Sequence, residues 1–147
     1  MSDSGDRTDP RFVYLIGRAD RGLRKVLDET LSALDLTTPE YTAMSVLARR
    51  PGLSNAQLAR RSLISPQSMI HVISRLEERS LVKRKTDPSH GRILRAQLTK
   101  RGERLLSKAN ERVGAAEEGI LADLSQHERA IVRDALAKVV SRLRDGR

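Results

Sequence analysis

Two helix starts written eleven residues apart constrain this chain more than any other feature. Ser54 precedes "NAQLARRS", with Gln57 three residues on, the reciprocal pairing of a capping box. Ser65 precedes Pro66, and proline is favoured at the first helical position because the donor it lacks has no helical partner there. The first of these helices has room for about two turns. Only "LIS" leads from it to the second cap. That is the spacing of a helix-turn-helix.

The flanking segments extend the pattern. "LTTPEYTAMSVLARRPG" predicts a preceding helix, with Thr38 as N-cap, Pro39 at the first helical position and Glu40 in the first turn; Pro51-Gly52 stops it. After Leu81 the apolar period changes from helical to two. "LVKRKT" and "ILRAQLT" flank "DPSHGR", which is rich in turn formers. In the second run Leu94, Ala96 and Leu98 face one way, and Ile93, Arg95 and Gln97 the other. A β-hairpin directly after a helix-turn-helix makes a winged helix.

Longer helices surround this unit. From Pro10 to about Leu34, Phe12, Leu15, Ile16, Ala19, Leu23, Val26, Leu27 and Leu31 keep a helical period. A helix of that length suggests a frame or a subunit contact. Thr99 caps a fifth helix running to about residue 122, in which Leu106, Ala109, Val113, Ala116 and Ile120 form a coiled-coil-like stripe. Ser125 and Glu128 form another capping box, and Val132, Leu136, Val139 and Leu143 line one side of a sixth helix. The expected fold is mainly α with a small β-hairpin wing. Residues 37–99 are a winged helix-turn-helix DNA-binding lobe, 10–36 and 100–147 a helical dimerisation region, and 1–9 a disordered tail.

Charge is distributed unevenly among these parts. Residues 1–36 are close to neutral, residues 37–99 carry eleven basic and four acidic side chains, and residues 100–147 carry eleven and eight. A localised basic patch favours a polyanion, and nucleic acid is the commonest. Only Phe12, Tyr14 and Tyr41 are aromatic, too few for base stacking, so a double-stranded target is expected. There is no cysteine, which excludes disulfides, thiolate metal sites and thiol redox sensing and fits a cytoplasmic protein. No run is long and apolar enough to span a membrane, and the polar, acidic N-terminus is not a signal peptide. His71, His90 and His127 show no metal-ligand spacing, and no phosphate loop or nucleophile elbow is present. The expectation is therefore no enzyme, no metal and no cofactor.

The fourth helix, "SPQSMIHVISRLEERS", has Met69, Val72, Ile73 and Leu76 on one side. Gln67, His71, Ser74, Arg75 and Glu78 lie opposite, with Ser68 on the flank and Ile70 at the boundary. Small hydrogen-bonding residues near a helix N-terminus can approach base edges or phosphates, and Gln67 can bond an adenine edge bidentately. Arg75 is expected at a phosphate, or at guanine if it reaches. At the hairpin tip, Arg92 beside Gly91 can reach into a narrow minor groove. Lys83, Arg84 and Lys85 alternate along a strand, so only some of them can face phosphate. Arg49, Arg50, Arg60 and Arg61 end the second and third helices, where they meet the DNA backbone or offset helix dipoles.

The run from "LTTPEY" to "LTKRG" resembles the MarR (multiple-antibiotic-resistance regulator) family of bacterial winged-helix repressors, most specifically in "RLEERSLVKR" and "DPSHGRILRAQLTKRG". The resemblance implies a homodimer in which the first, fifth and sixth helices interlock with the partner's. It implies a fourth helix in the major groove, a wing in the minor groove, and release by a small aromatic or phenolic anion. On that basis the base-contacting positions fall on Ser65, Gln67, Ser68, Ile70, His71 and Arg75, and the wing arginine on Arg92; Arg84 and His90 are further candidate DNA contacts in the wing. Phe12, Tyr41 and Met44 are candidates for the effector pocket. The expected operator is a pseudo-palindrome with half-sites about one helical turn apart. This sequence departs from the family pattern in three places. His90 stands where the wing aspartate is usual, leaving Asp87 to orient Arg92; Ser80 stands for the glycine ending the fourth helix, so a different cap is expected; and Ile70 replaces a frequent polar residue. The alternative reading is a winged-helix protein-interaction module without DNA readout.

Overall fold

In the computed structural model, which describes residues 9–145, every helix start but one coincides with a side-chain cap. The elements run α1 (Phe12–Ser32), α2 (Thr38–Arg49), β1 (Leu53–Ser54), α3 (Asn55–Ser62), α4 (Pro66–Glu78), β2 (Val82–Asp87), β3 (His90–Leu98), α5 (Lys100–Ile120) and α6 (Gln126–Asp145). The expected tail lies outside the described residues except for Asp9. Ser54 Oγ accepts from the Gln57 amide at 3.3 Å while Gln57 Oε1 accepts from the Ser54 amide at 3.0 Å. Ser125 and Glu128 repeat that exchange at 3.2 and 2.8 Å. These two amide and hydroxyl donors hold the Glu128 carboxyl below its ordinary range, the Ser125 backbone N–H first. Thr99 Oγ1 accepts from the Gly102 amide at 3.0 Å and starts α5.

Helix α2 begins one residue earlier than the sequence suggests. Thr37, not Thr38, is the N-cap, because only Thr37 is three residues before Glu40 and can share a capping box with it. Pro39 therefore sits at the second helical position.

The sheet has three antiparallel strands in the order β1-β3-β2. The third strand was not foreseen: β1 is two residues, Leu53 and Ser54, opposite Ala96 and Arg95, too short to show a period. The hairpin is longer than the apolar runs alone imply. Strand β3 begins at His90, within the turn-former segment, and the β2–β3 register shifts between Thr86 and Asp87.

The described chain divides into two units at Val113/Gly114. The first holds α1–α4, the sheet and most of α5 around one core. Leu31 of α1 and Leu106 and Ala109 of α5 belong to that core with Met44, Leu47, Met69, Ile73 and Leu76. The expected boundaries at 36/37 and 99/100 thus mark changes of element type within a shared core. In the second unit the Arg129 guanidinium closes the α5–α6 corner. It donates to the carbonyls of Leu124 at 3.1 Å and Leu121 at 2.8 Å, and pairs with Glu118 at 2.7 Å. Acceptors that a helix end leaves open are satisfied there by one side chain.

Candidate nucleic-acid interface

Helix α4 is anchored along its apolar side and open along the other. Met69, Ile73 and Leu76 are buried, each removal from water contributing about 1.5–3 kcal/mol. At its N-terminus Ser65 Oγ accepts from the Ser68 amide at 3.1 Å and donates to Ser68 Oγ at 2.9 Å, so both hydroxyls already serve the cap. Asn55 Nδ2 donates to the Pro66 carbonyl at 3.1 Å and ties the start of α3 to the first turn of α4. That bond spans the turn, and no local pattern announces it. Gln67, Ile70 and His71 are exposed on the open side; Ile70 is half exposed, and the Gln67 and His71 side chains make no hydrogen bond among the described residues.

The C-terminal end of α4 overturns one expectation. Ser80 adopts the left-handed conformation, with φ of 58°. The Ser80 amide donates to the Glu77 carbonyl at 2.8 Å and the Leu81 amide to the Leu76 carbonyl at 2.9 Å, the two bonds of a Schellman motif. The cap is the glycine-type cap, built with serine. Its two hydrogen bonds and the burial of Leu81 outweigh a strain of about 1 kcal/mol.

Two cations expected at phosphate are engaged elsewhere. Arg75 Nε lies 2.7 Å from Glu40 Oε1, a contact held by charge because the N–H is not aligned for a hydrogen bond. Arg84 donates through Nε and Nη2 to Glu77 Oε2 at 3.0 and 2.6 Å, pinning β2 to α4. That hydrogen bond raises the Arg84 pKa from its ordinary value. Asp87 does not orient Arg92. Its carboxylate accepts from the Ser89 amide at 2.8 Å and from Arg95 Nε at 2.8 Å, while Arg95 Nη1 donates to the Gly52 carbonyl at 3.0 Å. The Ser89 amide, then Arg95, hold the Asp87 carboxyl below its ordinary range. The acid thus braces the wing against the loop before β1 and leaves Arg92 exposed and unpaired. His90 pairs with Asp87 across the ladder and lies within reach of its charge.

Of the eleven cations in residues 37–99, Arg75, Arg79, Arg84 and Arg95 form ion pairs; the seven others, including Arg60, Arg61, Lys85 and Arg92, form none among the described residues. Glu78 is the only carboxylate of that segment without an ion pair among the described residues. The unpaired cations thus match the net charge of the segment in number, and all but one of its carboxylates are already engaged.

A profile of the MarR family matches residues 34–93. The HTH-type transcriptional repressor Rv2887 of Mycobacterium tuberculosis is 38% identical over 133 residues, which cover 90% of this chain and 96% of that protein. The chain belongs to the MarR family. The crystal structure of Rv2887 in complex with DNA superposes with a TM-score of 0.77 at 34% identity, covering 89% of this chain and 98% of that one. Its complex with salicylic acid gives 0.74 at 37% identity, covering 90% and 98%.

Within this MarR-family chain, the expected effector trio occupies three different settings. Met44 is wholly buried core and Phe12 is 59% exposed. The Tyr41 hydroxyl donates to Asn110 Oδ1 at 2.7 Å, joining α2 to α5. A cavity of about 840 Å³ opens between the end of α2, the base of the hairpin and α5, lined by Leu47, Pro51, Leu98 and Leu106 with Lys83, Lys100, Asn110 and the carboxylates Glu103 and Glu111. None of the trio lines it. Periodicity places Lys83 on an alternating strand, and only the folded arrangement puts it on the same cavity wall as residues of α5. Among the described residues no cluster of three or more His, Asp or Glu could hold a metal ion, and no helix is long and apolar enough to cross a membrane.

Proposed function

We propose that this chain is a homodimeric, sequence-specific repressor that binds duplex DNA and releases it on binding a small aromatic or phenolic acid. The observation that carries the reading is the open side of α4. Gln67, Ile70 and His71 stand unengaged on a helix fixed at both ends, in a lobe with seven unpaired cations. Gln67 suits an adenine edge, Ile70 a thymine methyl, and His71 a base acceptor or a phosphate. Arg92 suits the minor groove beside the wing. The Rv2887 complex with DNA supports this use of the same fold.

Exposed apolar residues support the dimer. Phe12, Val13, Tyr14 and Leu15 are exposed on α1, and in the second unit Ile131, Val132, Leu136, Val140 and Leu143 are exposed on α6. Apolar surface of that extent is characteristic of a subunit contact. A two-fold dimer reads a pseudo-palindrome with half-sites about 34–36 Å apart. The Rv2887 complex with salicylic acid supports an acidic aromatic effector, and the cavity beside Lys83 offers an ammonium that forms no ion pair among the described residues, on a wall shared with the carboxylates Glu103 and Glu111. On this reading the protein acts in the cytoplasm as a regulator and not as an enzyme.

Selection of bound sequences from random duplex DNA, repeated with salicylate and related acids, tests the reading. The expected product is an inverted repeat whose recovery falls when the acid is added. Binding with no sequence enrichment, or no duplex binding at all, refutes it; the latter result favours a protein-interaction module.

A further inference from the structure

The C-terminal half of α4 is held from outside the helix-turn-helix. Glu40, in the first turn of α2, is 1% exposed and divides its two oxygens between two tasks. Oε2 accepts from the Thr37 amide at 2.9 Å and closes the capping box; Oε1 faces Arg75 Nε at 2.7 Å. One turn further on, Arg79 donates to the carbonyls of Asp35 and Leu34, in the α1–α2 connection. Asp35 is left-handed there, with φ of 52°, and its carboxylate lies 3.9 Å from both arginines. The Thr38 hydroxyl donates to Asp28 and ties the start of α2 back to α1. Arg75 and Arg79 are therefore two arms by which α4 grips the α1–α2 junction.

We infer that Glu40 is a positioning residue for DNA recognition, and that Arg75 is the arm it holds and not a phosphate contact. This rests on the DNA-binding reading above. An arginine whose charge is matched by a buried carboxylate releases no counterion when DNA arrives, so it contributes to affinity through helix orientation alone. Orientation matters to base readout by Gln67, Ile70 and His71, which requires hydrogen-bond geometry, and matters little to non-specific attraction. Sequence alone suggests the opposite role, because an exposed arginine on the open side of a recognition helix reads as a phosphate ligand.

The test is a double-mutant cycle of Glu40→Gln and Arg75→Gln, read by fluorescence anisotropy on the selected operator and on a scrambled duplex across a salt series. Gln at 40 still accepts from the Thr37 amide, so the α2 cap survives. Thermal melts confirm that each variant folds. Each single substitution is expected to weaken operator binding about tenfold, and the double variant no more than either single. Affinity for the scrambled duplex changes less than about threefold, and the salt slope of Arg75→Gln equals that of wild type. Losses that add, with a slope smaller by about 0.9 per subunit whenever Arg75 is absent, overturn the inference and make Arg75 a phosphate contact. Arg75→Gln strands a buried carboxylate; if it does not fold, the double variant against Glu40→Gln decides by the same slope. A wild type without duplex binding instead refutes the DNA-binding reading, and this role with it.

Discussion

Replacing Gly102 by Ala reverses the sign that helix propensity alone predicts. In an exposed helix interior, Gly to Ala stabilises by about 1 kcal/mol. Gly102 is buried in the first turn of α5, where it passes the end of α4. A Cβ there would stand well inside van der Waals contact of the Leu81 carbonyl oxygen and 3.0 Å from the Leu81 carbonyl carbon. Neither neighbour is the far end of a flexible side chain. The Thr99 amide donates to that same carbonyl at 3.0 Å, and the Thr99 hydroxyl donates to the Ser80 carbonyl at 2.6 Å. Moving α5 away breaks or stretches both bonds and pulls Leu81, 1% exposed, from the core. Overpacking costs about 1–3 kcal/mol and each lost hydrogen bond about 1 kcal/mol, giving about 3–5 kcal/mol. For a chain of this size that corresponds to a melting temperature lower by about 6–20 °C. Urea and thermal denaturation measure it directly. A variant as stable as wild type, or more stable, refutes the close-approach argument and returns Gly102 to ordinary helix propensity.

Three further substitutions test the turn, the wing and its brace. Leu63 ends α3 in the left-handed conformation with φ of 56° and is 94% exposed, so Leu63→Gly should raise the urea midpoint by the equivalent of about 1 kcal/mol; a lower midpoint shows that the leucine has a stabilising contact. Arg92→Ala should leave melting unchanged and reduce the salt slope of operator binding by about 0.9 per subunit; an unchanged slope removes the wing contact. Asp87 has its folded pKa depressed by the Ser89 amide and Arg95, so its contribution is full above the unfolded value of about 3.9 and is lost as pH falls through the folded value. The stability gap between wild type and Asp87→Asn should therefore close on acidification below about pH 4, and a gap that stays constant with pH contradicts the ion-pair brace.

What was legible in the sequence was what is local. A side-chain cap joins residues three apart, so Ser54, Ser65, Thr99 and Ser125 are read directly and the difference at α2 is a single residue. The apolar side of α4 and the stripe of α5 followed from period alone. Thr37 and Thr38 both carry a hydroxyl, and choosing between them needed the distance to Glu40 to be counted from both. Ser80 departs from expectation for a different reason. The strain of a left-handed serine is visible in sequence, whereas the Schellman bonds and the burial of Leu81 that outweigh it appear only when α4 and the hairpin are packed together.

The candidate site divides along the same line. Which residues lie on the open side of α4 is a matter of period, and Gln67, Ile70 and His71 are there. Which of the cations can still reach a phosphate depends on partners distant in sequence: Glu40 for Arg75, Glu77 for Arg84, and Asp87 with the Gly52 carbonyl for Arg95. These pairings withdraw cations from the DNA-facing count while fixing the helix and the wing that the remaining ones depend on. Affinity and specificity thus draw on different subsets of the same arginines. Unpaired Arg60, Arg61 and Arg92 can supply counterion release, and paired Arg75, Arg84 and Arg95 can supply orientation. A net charge counts both alike, so a salt titration of single-arginine variants is needed to separate them.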